Sequence, residues 1–240
     1  TQPTSGYSPS SLTLAINRRE LAQLVNLPED VPIFDGIFTG RQFRRRALPD
    51  PLPYDPERAK RLLDEAGWRD QDGDGIRERA GVKAQFTAIV AAGSVLEKAA
   101  VYVQEQLRRV GVRMDVQTLE SGVVWERVYN NGEFEAAFHR FFNSNEGYLK
   151  FFGERSPVGY RNPKVLELVN ATHETADPDI EDGIYAEVMK ILREELPLTF
   201  LFPSVETFVA HRRIRGLSTP FRADPVWFME YLWLEDGSQQ

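Results

Sequence analysis

An α/β fold, with a βαβ core and a mixed sheet flanked by helices, is what three observations along this 240-residue chain predict. Ala84 to Val90 is rich in Phe, Ile and Val and reads as a strand. Val95 to Val110 sets Leu96, Ala99, Ala100, Val103, Leu107 and Val110 on one helical stripe, which Gly111 closes. Val112, Met114 and Val116 then alternate with Arg113, Asp115 and Gln117, the period of a strand. Strand, helix and strand within about thirty residues make a βαβ unit, whose crossover is expected to be right-handed.

The flanking elements follow from the same rules. Leu12 to Leu27 reads as one helix capped by Ser11, with Leu14, Leu21, Leu24 and Val25 among its apolar positions. Pro28 to Pro53, rich in Pro, Gly and Arg, reads as a long irregular surface loop. Asp55 is a good N-cap, and Pro56 suits the first helical position because its missing N–H would have had no partner there. Ala59, Leu62, Leu63 and Ala66 line one face of the helix from Pro56 to Ala66, and Gly67 supplies the left-handed residue that ends it. A short helix near Gly122 to Tyr129 and a strand over Phe134 to Phe141 extend the core. Asn162-Pro163 and Asp177-Pro178 each open a further helix, and Pro197 ends the second. Leu198 to Phe202 reads as a buried strand, and Thr207 to Ala210 and Phe228 to Leu234 as short ones.

Composition narrows the classes of function. A formal net charge of −7 argues against nucleic acid or an anionic membrane as partner. The basic cluster Arg41 with Arg44-Arg45-Arg46 reads as a solvated loop. With no cysteine, disulfides, thiolate metal sites and cysteine nucleophiles are excluded. No stretch of apolar residues is long enough to be a spanning helix. Thr1 to Ser11 is a polar, Pro- and Ser-rich tail without the basic and apolar parts of a signal peptide, as if the chain began within a longer one.

A search for chemistry finds little that catalyses. His139, His173 and His211 stand far apart and lack zinc-enzyme spacing. There is no nucleophile elbow, phosphate loop or dinucleotide fingerprint, so a binding protein is favoured over an enzyme. A hydrolase would need two Asp or Glu residues at catalytic separation in one cleft. The metal-like segment is Asp70-Gln71-Asp72-Gly73-Asp74-Gly75-Ile76-Arg77-Glu78. Asp70, Asp72, Asp74, the Ile76 carbonyl and Glu78 occupy successive ligand positions of an EF-hand loop, with Gly75 at its sharp turn. The bidentate Glu of the twelfth position is replaced by Gly81. Two readings stay open: a weak calcium site, the only cofactor the residues suggest, or an acidic turn whose Asp side chains bond their own backbone. The first would suit a calcium-dependent interaction module.

Several segments taken in order carry a resemblance. They are Leu14 to Leu21, Tyr54 to Gly75, Glu105 to Val112, Gly159 to Val165, Glu194 to Leu198 and, loosely, Val226 to Glu235. Together they resemble the C-terminal half of the bacterial extracellular solute-binding proteins of family 5, the oligopeptide and dipeptide receptors of ABC importers. The resemblance implies a lobe of the type II periplasmic-binding-protein fold. Residues 12–202 would be the second lobe behind the polar tail of residues 1–11, and residues 203–240 would return to a missing N-terminal lobe of the same protein. It implies a small-molecule or peptide-like solute, an ABC permease as partner, and a periplasmic or extracellular place. In the intact protein the chain would be membrane-associated, with its signal sequence upstream. A lobe alone is expected to bind ligand weakly or not at all, and its uncovered face could drive dimerisation.

The family's dipeptide receptors hold the peptide carboxylate with an Arg after the first central strand, and the free amine with an Asp in a Gly-Trp segment. Here the first region reads Val90-Ala91-Ala92-Gly93-Ser94, without Arg. In the second, Phe141 takes the Trp place and Ser144 falls where Asp would stand. An ammonium without a carboxylate is costly to bury, so a ligand lacking a free α-amine is expected, or one held from the other lobe. The candidate wall is Phe141, Asn143, Ser144, Asn145 and Tyr148, although the same residues also suit a core Phe followed by a solvated turn.

Overall fold

The computed structural model describes residues 9–31, 33, 35, 50–140, 152, 156–175, 177–203, 211–216 and 232–235. Its first helices correct one expectation. Residues 12–27 form not one helix but two, α1 (Pro9–Leu14) and α2 (Arg18–Leu24). The break has a local cause, because the Asn17 side chain accepts the Glu20 N–H at 3.2 Å and so caps a new helix. Ser11 lies inside α1 and is buried.

Helix α3 (Pro56–Glu65) starts as its sequence dictates, with the Asp55 carboxylate accepting the Arg58 N–H at 2.8 Å. Gly67 follows at φ +84°. Beyond it, β1 (Glu78–Arg79) and β2 (Val82–Lys83) form a hairpin whose register pairs Glu78 with Lys83. Its two-residue turn, Ala80-Gly81, has both φ angles positive, the twist that a tight hairpin favours.

The βαβ unit is present as expected. Strand β3 (Gln85–Ala91), helix α4 (Val95–Arg108) and strand β4 (Arg113–Leu119) follow one another. The strands run parallel, paired from Gln85 and Arg113 to Ala91 and Leu119, so they end level. A short strand β5 (Ala136–Ala137) pairs parallel on the other side of β3, giving the order β4-β3-β5. The strand expected over residues 134–141 is thus reduced to its middle, though Phe138 still donates to the Ile89 carbonyl at 2.9 Å. Between β4 and β5, helix α5 (Ser121–Trp125) widens into a π-helical turn, Glu126–Asn131.

Two further helices, α6 (Pro163–Ala171) and α7 (Pro178–Glu195), open at the expected caps, Asn162 and Asp177. Leu198 to Phe202 is half-buried irregular chain rather than a strand, since it finds no ladder partner among the described residues. Of the two late strands, Thr207 to Ala210 lies outside the described residues. From Phe228 to Leu234, β7 (Trp233–Leu234) is described, paired antiparallel with β6 (Ile214–Arg215).

The core follows from these elements. One apolar cluster joins α1, α2 and α3 to the inner faces of α4, β3 and β4, with Leu14, Leu21, Leu63, Trp68, Ala99 and Leu107 buried in it. A second packs α6 on α7 through Val165, Val169, Tyr185 and Leu192. A small third, Ile89, Val124 and Val128, seats α5 on the sheet, and Tyr129 packs against both of the last two. One buried ion pair crosses the first region. Arg18 pairs with Asp35 and donates to the Leu52 carbonyl at 2.7 Å and the Phe200 carbonyl at 3.0 Å, and Asp35 also accepts the Leu52 N–H. Nearby, the Thr13 and Thr199 hydroxyls lie 3.3 Å apart.

Candidate functional site

Parallel strands that end level leave their carboxyl ends facing one crevice, the usual place for a ligand in an open α/β sheet. Here that end is formed by Ala91 to Ser94 after β3, Leu119 to Ser121 after β4, and Phe138 to Arg140 after β5. The first two turns use their polar groups internally. Glu97 accepts the Gly93 N–H at 2.7 Å, the Ser94 hydroxyl donates to the Ala91 carbonyl at 2.7 Å, and Glu120 accepts from Gly122 and Val123.

An aromatic group stands beside them. Trp125 and Tyr129, four residues apart across the junction of α5 with the π-helical turn, stack with ring centres 4.1 Å apart. His139, two residues past β5, meets Tyr129 edge-on, and the Tyr129 hydroxyl and His139 Nε2 are 2.6 Å apart. Burial pushes the Tyr129 phenol up to about 12 and lowers the His139 imidazole from its ordinary value, so the pair is uncharged near neutral pH. Trp125 is 41% exposed and stacks on one member of a neutral hydrogen-bonded pair, which puts an indole at this end of the sheet. π-Helical turns occur often at functional sites. Sequence reasoning set His139 aside with the other two histidines because they lack zinc-enzyme spacing. The signal that could have found the group was the four-residue Trp–Tyr spacing just ahead of the last core strand.

The expected ligand wall, Phe141, Asn143, Ser144, Asn145 and Tyr148, lies outside the described residues. The expected metal residues are brought together. One oxygen each from Asp70, Asp72, Asp74 and Glu78 lies within 4.8 Å of the others. The loop is held by its own side chains: Asp70 accepts from Gly73 and Gly75, Asp72 from Asp74, and Asp74 from Ile76. The acidic-turn reading therefore describes its hydrogen bonds well. Sequence reasoning missed Lys83. The β1–β2 hairpin carries its ammonium onto Asp72, Asp74 and Glu78, and the hydrogen bond to Lys83 holds the Asp74 carboxyl below its usual range.

Against known proteins, the profile described as bacterial extracellular solute-binding proteins, family 5 Middle, matches residues 11–153. The oligopeptide-binding protein AppA of Bacillus subtilis is 31% identical over 190 residues, which cover 75% of this chain and 35% of that protein. The solved structure of AppA from Bacillus subtilis with a nonapeptide superimposes with a TM-score of 0.76 at 23% identity, over 96% of this chain and 48% of that one. NikA from Brucella suis, solved with Fe(III)-EDTA, superimposes with a TM-score of 0.68 at 19% identity, over 85% of this chain and 43% of that one. The chain thus spans about a third of the curated relative's length and about half of each solved chain. Its fold is that of the type II periplasmic binding proteins. With the profile covering more than half of its residues, the chain belongs to the bacterial extracellular solute-binding proteins of family 5.

Proposed function

We propose that this chain forms one wall of a solute-binding site in an extracellular or periplasmic receptor that serves an ABC importer. The observation that carries the reading is the aromatic group at the carboxyl end of the sheet, in a lobe of this family. Residues 12–202 act as the gripping lobe, residues 203–240 lead back toward a first lobe, and the solute is held when the two close. The lobe acts as a binding element, in keeping with a family of binding proteins. Phe141, Asn143, Ser144, Asn145 and Tyr148, next in the sequence, are the residue types we propose for further contacts with the solute: amides, hydroxyls and aromatic rings.

The solute is peptide-like and lacks a free α-amine on the side that meets this lobe. Neutral Tyr129 and His139, and Ser144 in place of a carboxylate, offer no countercharge to an ammonium. A single lobe presents only part of the contact surface, so binding to this chain alone is weak.

The test is to titrate the chain with N-acetylated and free-amine oligopeptides, followed by calorimetry and by NMR of assigned amides. The expected result is millimolar binding of the acetylated peptides, with shifts centred on Trp125, Tyr129 and His139 that Trp125→Ala removes. Micromolar binding by the lobe alone, or shifts centred on another face, would overturn the reading.

A further inference from the structure

Strand β5 delivers His139 to the aromatic group, yet it is the shortest strand of its sheet. Its ladder consists of Ala136 and Ala137, paired with Ala88 and Ile89 of β3. Register in a sheet is normally fixed by the face that each side chain must occupy. Here both paired residues are alanine, so a slip by one position would put one alanine where the other had been. Phe134 and Phe138, on either side, are only partly buried against their clusters and hold the register less firmly than core residues would. A slip of one residue would carry His139 about 3.3 Å along the strand. Its contact with the Tyr129 hydroxyl, at 2.6 Å, would not survive that.

Glu135 distinguishes the observed register from its neighbours. Thr87 and Glu135 each stand one residue before the first paired positions, Ala88 and Ala136. There the Thr87 N–H donates to Oε2 of the Glu135 side chain at 2.6 Å, so a carboxylate extends the ladder by one bond. Such a bond to an ionised acceptor is stronger than one between neutral amides. The chain reaches this point by a turn in which Gly132 takes φ +65° and the Glu133 N–H donates to the Arg127 carbonyl at 3.0 Å. Glu135 itself is exposed and belongs to none of the apolar clusters, so its carboxylate is what it brings to β5.

We propose that Glu135 is a positioning residue of the solute wall: by taking the Thr87 N–H it fixes the register of β5 and thereby holds His139 against Tyr129. Its use to the solute rests on the wall proposed above; the geometry of β5 does not. The donor is a backbone N–H rather than a cation, so the role needs an oxygen acceptor of the right reach and not a charge. An amide of the same length fulfils it, and a side chain without an oxygen does not.

Glu135→Gln and Glu135→Leu are compared with the unaltered chain by circular dichroism, by NMR and by titration with an N-acetylated oligopeptide. The NMR readouts are the Thr87 amide proton shift, the nuclear Overhauser effects between the Tyr129 and His139 rings, and the His139 imidazole nitrogen shifts. The expected result is that Glu135→Gln keeps all three close to those of the unaltered chain. Glu135→Leu stays folded but loses the ring contact, and it binds the acetylated peptide about fivefold more weakly, the loss that one hydrogen bond of ordinary strength carries. Should Glu135→Leu not fold, Glu135→Ser, whose hydroxyl is too short to reach Thr87, takes its place. The proposal fails if a folded variant without the acceptor keeps the Tyr129–His139 contact, or if Glu135→Gln loses it as fully. If the contact is lost and peptide binding is unchanged, the positioning of His139 stands and the solute-wall reading is what fails.

Discussion

His139 shows how one side chain can set a pH response. Burial lowers its pKa below the ordinary 6.5, so between that lowered value and 6.5 the unfolded chain holds a proton that the folded chain does not. The contribution to stability is complete above pH 6.5 and is lost as pH falls toward the folded value. Tyr129 works in the opposite sense. Its phenol is raised to about 12, so its contribution is complete below pH 10 and declines above it. The prediction is a melting temperature that falls between about pH 7 and about pH 5, with a smaller fall in His139→Gln than in the unaltered chain. Differential scanning calorimetry of both proteins across that range decides it, and identical slopes would count against a buried neutral imidazole.

Among the elements, the turn that closes α4 is held by Arg77. Gly111 adopts φ +84°, and a Cβ there would lie 2.7 Å from Cγ of Arg77. Arg77 has little freedom to move away. Its guanidinium donates to the Val110 carbonyl at 2.8 Å and the Trp68 carbonyl at 2.7 Å and pairs with Asp64, joining the end of α4 to the end of α3. Gly111→Ala therefore combines a strained backbone with a displaced arginine and should cost about 1–3 kcal/mol in urea unfolding. What could be read from the chain at this scale was what local chemistry decides. Asp55, Pro56 and Gly67 define α3, and the alternation after Gly111 defines β4. The single helix expected over residues 12–27 failed because Asn17 prefers to cap. The strand expected at Leu198 failed because an apolar run forms a strand only where a ladder partner exists. The site was less legible than the fold for the same reason. Asp70, Asp72, Asp74 and Glu78 are near in sequence and were found. Lys83 arrives by a hairpin, and Tyr129 and His139 meet only once β5 pairs with β3.

For the whole molecule, the buried Arg18–Asp35 pair joins parts of the chain that are far apart in sequence. Removing one partner leaves the other charge buried alone, together with the Leu52 and Phe200 carbonyls that Arg18 serves. Arg18→Met should destabilise the chain by about 3–5 kcal/mol in denaturant titration, and Arg18→Met with Asp35→Asn by clearly less. A double variant as unstable as the single one would sink the account. The Thr13–Thr199 and Arg18–Phe200 contacts join the same two regions. They set residues 13–18 and residues 199–200 side by side, although more than 180 positions separate them. Both contacts adjoin the apolar cluster that seats α1 and α2 on β3 and β4, so a disturbance at either one is passed into the core beneath the sheet.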